Sequence, residues 1–121
     1  MEKNHDIESR ADIEQLIPAF YKSLRQDERI ASFFTHVNFE HHLPRMIAFW
    51  AFLLFNEKGY AENVFEFHRH LPIEDHHFDI WLENFDKTVD EFFVGEKANY
   101  AKQQAKLIGD GFKFKFRFLR K

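Results

Sequence analysis

His42-Leu43-Pro44-Arg45-Met46-Ile47-Ala48-Phe49-Trp50-Ala51-Phe52-Leu53 is the stretch whose reading decides the fold class. His42, Met46, Phe49 and Leu53 follow one another at offsets of four, three and four, so a helix gathers them into one stripe, whereas a strand scatters them over both faces. The spacing predicts a helix over about 39 to 56, closed by Asn56 to Gly59. Pro44 fits only its first turn, where no amide donor is yet needed.

The same periodicity extends in both directions. Upstream, Ser9 with Asp12 three residues later reads as a capping box, opening a helix with Ile13, Leu16, Ile17, Phe20, Tyr21 and Leu24 on one face. Pro18 is expected to kink that helix or mark a second start. Residues 28 to 38 read as irregular, with Phe33 and Phe34 turned inward. Downstream, a short segment over about 61 to 70 ends at Leu71-Pro72, where the proline forces the preceding residue out of helical geometry. Glu74 and Asp75 open a helix over about 74 to 94, with Phe78, Trp81, Phe85, Val89 and Phe92 inward. Gly95 separates it from a helix over about 96 to 111, whose Ala98, Ala101, Ala105 and Ile108 allow a neighbour to approach closely. Beyond Gly111 the sequence Phe112-Lys113-Phe114-Lys115-Phe116-Arg117-Phe118 alternates strictly, which predicts a strand.

The expectation is therefore an all-α domain over residues 1–111 followed by a Phe/basic tail, 112–121. At 121 residues the chain suffices for one core, and 45% hydrophobic and 18% aromatic residues, 17 of them Phe, supply it. The absence of cysteine excludes disulfides, thiolate metal sites and cysteine nucleophiles, leaving histidine as the soft nitrogen ligand. No run approaches the roughly 20 apolar residues of a membrane span, and the first residues lack a secretory signal. A soluble, cytoplasmic protein is expected. Net charge is −3, but the last ten residues carry five cations and no acid. Residues 1 to 111 thus hold 12 basic against 20 acidic groups, a net of −8.

Chemistry concentrates around Phe65-Glu66-Phe67-His68-Arg69-His70-Leu71-Pro72. A haem iron needs one axial nitrogen from the protein and a pocket on the other side whose donors decide what a bound gas does. His68 is a candidate for the first. His42, Tyr21 and Trp81, on separate inward faces, are candidates for the second, Trp81 through an indole N–H that only donates. Dioxygen on ferrous iron gains negative charge at its outer atom, so aimed donors in a dry pocket slow its loss.

Five elements in order carry a resemblance: Ala19-Phe20-Tyr21, Phe34, His42 with Phe49-Trp50 at its seventh and eighth following positions, His68-x-x-Leu71-Pro72, and His77-Phe78-x-x-Trp81-Leu82. Over about residues 13 to 108 the chain resembles the group III truncated haemoglobins, the compact two-over-two globins of bacteria. That resemblance implies a two-over-two helical sandwich holding haem b, with His68 on the iron and Tyr21, His42 and Trp81 on the ligand side. The spacing to Leu71-Pro72 selects His68 over His70, and two residues on a helix differ by about 200° of rotation, so one of the pair faces away.

Phe34, Met46, Phe49, Leu53, Phe67 and Phe78 are expected to wall the macrocycle, and Arg45 and Arg69 are candidates for its propionates. Family members are linked to oxygen binding and to nitric oxide or peroxide chemistry, so nitric oxide dioxygenase and peroxidase-like activities are both implied, as is an unidentified reductase. The chain departs from the family in carrying Phe39 where tryptophan is common.

Two other classes are weighed. A non-haem metal enzyme built from the eight histidines lacks a His-Glu-x-x-His or comparable pair on one helical face. A haem-less globin module would act through the tail, which is a candidate for contact with acidic lipid or for edge-strand pairing. No nucleic-acid partner is expected.

Overall fold

The computed structural model describes residues 4–58 and 71–119. Within them lie four α-helices, α1 (Arg10–Gln26), α2 (Phe39–Phe55), α3 (Asp75–Phe92) and α4 (Glu96–Leu119), with a 3-10 turn at Ala31–Phe34 between the first two. No strand is present among the described residues, where pairing is limited to a single bridge between His5 and Phe93. The all-α expectation holds. No described helix is long and apolar enough to cross a membrane.

The helix ends reflect local chemistry. The Asn38 side chain accepts the Glu40 N–H at 3.1 Å, and Asn56, left-handed at φ 56°, closes α2. Ser9 occupies the N-cap of α1 but its side chain makes no capping bond. Asp12 reaches back to the Glu8 N–H at 2.8 Å, one residue before the N-cap, so the expected capping box with Ser9 is not formed. α1 runs unbroken across Pro18, with no second start. Pro44 lies in the second turn of α2, beyond the first-turn position expected for it.

α1 is the hub, packing on α2, α3 and the 3-10 turn, while α3 packs along α4. The main core joins Ile13, Leu16, Ile17, Phe20 and Leu24 of α1 to Trp50, Ala51 and Leu54 of α2, to Phe85 and Val89 of α3, and to Ala98, Ala101 and Ala105 of α4. Small residues on α4 let the helix axes come close. At the C-terminal end of α1 a polar network ties it to α3. Ser23 Oγ donates to Asn84 Oδ1 at 2.5 Å, and Asn84 Nδ2 donates to Asp27 Oδ2 at 3.0 Å. The Arg29 guanidinium and then the Asn84 amide hold the Asp27 carboxyl well below the usual carboxylate range.

The predicted strand after Gly111 is helix. α4 continues without interruption to Leu119, because Phe112 and Phe116, four residues apart, close a second apolar cluster with Ile73, Phe78, Leu71 and Phe33. Lys113 pairs with Asp79 at 2.5 Å, and Arg117 Nε with Asp75 at 3.0 Å. Both pairs step by four along their helices in opposite directions, as antiparallel helices require. An alternating Phe pattern also satisfies a spacing of four, and these tertiary contacts select the helix.

Across the molecule, the N-terminal arm caps α4. Gly95, at the N-cap position, has no side chain to offer, and Asp6 accepts the Lys97 and Ala98 N–H groups at 2.9 and 2.8 Å in its place. Partial burial disfavours the Asp6 charge, but the Lys97, Ala98 and Ile7 N–H groups outweigh that and leave its carboxyl below the ordinary value. Gly95 has φ 144°, and a β-carbon there would fall 2.7 Å from Asp6 Cβ, so position 95 admits only glycine while the arm is docked.

Asp6→Ala is expected to lower unfolding free energy at neutral pH by about 1–2 kcal/mol, the usual cost of a lost cap. Because the folded pKa is depressed, this contribution is full above the ordinary carboxylate pKa and disappears as pH falls through the lowered value. The gap in urea unfolding between the two proteins should therefore narrow as pH falls below the ordinary carboxylate pKa; a gap that stays undiminished on acidification would mean that the cap does not depend on charge.

Candidate functional site

Tyr21 is buried on α1, one residue from Phe20, and a 3.6-residue repeat turns neighbouring side chains about 100° apart. Phe20 therefore enters the core while Tyr21 faces the 3-10 turn and the start of α2. There its ring meets His42 edge-on at 4.9 Å, Phe34 at 5.9 Å and Phe39 at 6.0 Å. Phe39 also lies edge-on to His42 at 6.0 Å and carries the Arg25 guanidinium over its face at 4.5 Å.

Trp81 reaches the same region from α3. It sits edge-on to Phe20 at 5.7 Å and stacks on Phe85 at 6.1 Å, and Phe85 in turn stacks on the buried Trp50 of α2 at 4.7 Å. Tyr21 and Phe20 are themselves 5.1 Å apart, so Phe20 links the tyrosine to the tryptophan. Gly109 of α4 lies behind Trp81, where a β-carbon would stand 4.0 Å from Cζ3. The three donors expected on the ligand side thus come from three helices into one aromatic assembly.

The expected walls divide between two clusters. Met46 is buried, while Phe34, Phe49 and Leu53 pack against the main core half-buried, and Arg45 is half-buried on the same helix. Phe78 belongs instead to the second cluster, against Phe112 at 5.7 Å and Phe116 at 5.8 Å. His68, Phe67 and Arg69, with His70, lie outside the described residues. Leu71 and Ile73, the next apolar residues along the chain, are held in the Phe78 cluster.

Four residues have roles that are not evident from the sequence. Phe39 reads there only as a departure from tryptophan, yet it touches both Tyr21 and His42; its place at the first position of α2, three residues before His42, is the signal that finds it. Trp50 and Phe85 form the stack beneath Trp81, and only the crossing of α2 with α3 reveals it. His77 is structural as well: its Nδ1 accepts the Glu74 N–H at 2.9 Å at the start of α3, and its ring lies 4.8 Å from Phe33.

The arrangement fits a flat apolar group with one polar face. Phe34, Phe39, Leu43, Phe49, Leu53 and Trp81 line the core without being fully covered by it, and the polar tips nearby are a hydroxyl, an imidazole and an indole N–H. A more open depression of about 480 Å³, lined by Ser23, Gln26, Asp27, Glu28, Arg29, Asn84 and Lys87, has the wrong chemistry for such a ligand. Among the described residues, a trio suited to a bare metal ion occurs only in the N-terminal segment, at His5, Glu8 and Asp12, and it includes none of these three donors.

Comparisons with known proteins agree with this chemistry. The profile of a family described as bacterial-like globin matches residues 5–109. The chain is 30% identical over 82 residues to the group 1 truncated hemoglobin of Tetrahymena thermophila, covering 67% of this chain and 68% of that one. It is 26% identical over 107 residues to the group 3 truncated hemoglobin ctb of Campylobacter jejuni, covering 83% and 84%. The crystal structure of the group III truncated hemoglobin from Campylobacter jejuni superposes with a TM-score of 0.85 at 23% identity, over 93% of this chain and 94% of that one.

Proposed function

We propose that this chain, which belongs to the bacterial-like globin family, holds a haem through His68 and binds a diatomic gas, dioxygen or nitric oxide, on the face presented to Tyr21, His42 and Trp81. The observation that supports this most is the direct contact of Tyr21 with His42 at 4.9 Å, joined through Phe20 to Trp81, beside apolar residues that the core leaves half-covered. The coverage of the group 3 relative, wider than that of the group 1 relative, favours group III.

When bound, haem supplies an iron that takes up the gas and shifts electron density onto it. The chain's own residues govern the fate of that gas. Tyr21 Oη and Trp81 Nε1 would donate hydrogen bonds to the electron-rich ligand, and His42 would add a third polar contact from α2. Phe34, Phe39 and Phe49 exclude water, which strengthens each donor's effect because little solvent remains to screen it. Arg45 and Arg69 are the cations nearest in sequence to the proposed walls and would meet the propionates.

Several donors on one ligand favour tight retention or redox chemistry over delivery, since delivery requires easy release. Turnover of nitric oxide is the redox form of this reading and would require electrons from a separate reductase.

The test is a titration of the purified protein with haemin, monitored by absorption. Saturation at one haem per chain, with a band distinct from free haemin, is the expected result. A featureless titration, or zinc or iron bound without porphyrin, would overturn the haem assignment in favour of a non-haem site or a haem-less module.

A further inference from the structure

α4 has two apolar faces, and the fold uses one. Ala98, Ala101, Ala105, Gly109 and Phe116 are buried. On the opposite side Tyr100, Leu107, Phe114 and Phe118 are 42%, 63%, 70% and 69% exposed. Steps of seven, seven and four residues hold these four in one stripe, because seven residues are close to two turns. Gly111, one turn after Leu107, lies in the same stripe, exposed, and a β-carbon there would meet nothing within 4 Å. A continuous apolar stripe of this length on the surface marks a contact face.

We propose that this stripe is an interface with a second copy of the chain, the two α4 helices packing antiparallel about a two-fold axis. Such an interface requires a surface complementary to itself, and the order of residues along α4 meets that requirement. The register that seats Leu107 in the notch at the second copy's Gly111 does so twice, once on each side of the axis. It also brings Tyr100 against the second copy's Phe118 and Phe114 against the aliphatic stem of the second copy's Gln104. On the flank, Lys106 and Asp110 pair within the chain at 3.0 Å. Across the axis each Asp110 lies as near to the second copy's Asp110 as to its Lys106, and the pairing of Lys106 with Asp110 within each chain offsets that like-charge approach.

The size is sufficient. The exposed parts of these four side chains amount to about 500 Å² per copy, so that the pair reaches the roughly 1,000 Å² a specific contact must clear. An anionic bilayer is the competing acceptor for an apolar helix face, but it needs cations free along the flanks. In α4 Lys106, Lys113 and Arg117 are already paired with Asp110, Asp79 and Asp75. A second copy satisfies the stripe without moving any of these pairs.

Sedimentation equilibrium on the full-length, haem-loaded protein tests this. The mass should rise from 14.7 kDa towards twice that value over about 1–100 μM, the range expected of an interface near the lower size limit. Leu107→Glu should move the midpoint at least tenfold higher in concentration. Gly111→Gln should do the same while leaving the melting temperature unchanged or raised, since glutamine is the better helix former and has open space around it. A lost dimer would then not be a folding defect.

Leu107→Gly combined with Gly111→Leu exchanges knob and notch, and should restore the association that Leu107→Gly alone removes. A mass fixed at 14.7 kDa throughout, or a dimer indifferent to both single substitutions, would overturn the proposal. So would a monomer that floats with phosphatidylglycerol vesicles in a Leu107-dependent way, which would assign the stripe to lipid.

Discussion

Replacing His68 with alanine is expected to remove the specific haem band and to weaken haem retention by more than about 100-fold, since loss of even an outer-shell partner of a ligand costs 10- to 100-fold. His70→Ala should leave both intact. The contrast rests on geometry. The sequence pattern predicts a helix there, in which a separation of two residues corresponds to about 200° of rotation, so only one of the two imidazoles is expected to face a haem. Leu71 and Ile73, just beyond this pair, are held in the cluster of Phe78 and Phe116. The readouts are the haemin titration and the rate of haem transfer to an acceptor globin. Restoration of the band by added imidazole in His68→Ala would show that the pocket survives and only the nitrogen is missing. If His70 proves necessary and His68 dispensable, the axial assignment is wrong.

The second large effect is expected from Tyr21→Phe, which removes one hydroxyl and keeps the ring that packs on Phe20, Phe34, Phe39 and His42. A hydrogen bond to a charged group is worth roughly 1.5–3 kcal/mol, so ligand dissociation should accelerate by about 10- to 150-fold. Trp81→Phe, which removes the indole N–H, should act in the same direction. Laser photolysis with ligand replacement measures both rates. Unchanged dissociation in Tyr21→Phe would sink the claim that this face polarises the ligand, whatever the haemin titration gives.

These two residues illustrate how differently the site is encoded. His68 is singled out by the family resemblance, through Leu71-Pro72 at a fixed distance beyond it, and lies outside the described residues. Tyr21, His42 and Trp81 can be placed on inward stripes one helix at a time, but their meeting is a property of how three helices cross. Phe39 lies three residues before His42 and shares its stripe, but its contact with Tyr21 exists only once α1 lies beside α2. Phe78 shows the converse. Its stripe puts it with Trp81, and the packing of α4 puts it with Phe112 and Phe116.

By itself the sequence determined the helices and most of their ends, because periodic burial, caps and glycine breaks act within a few residues of one another. It determined that the core is aromatic and that histidine must supply any soft nitrogen ligand. Tertiary structure decided the rest. It made the last turns of α4 helical where strict alternation favoured a strand, because Phe112 and Phe116 gain burial only against Ile73 and Phe78, and Lys113 and Arg117 find Asp79 and Asp75 only on a neighbouring helix. It supplied α4 with a cap from Asp6, about ninety residues earlier in the chain. Local patterns fix what a segment prefers; contacts between distant segments choose among preferences of similar energy, and they do so here wherever a residue serves two elements at once.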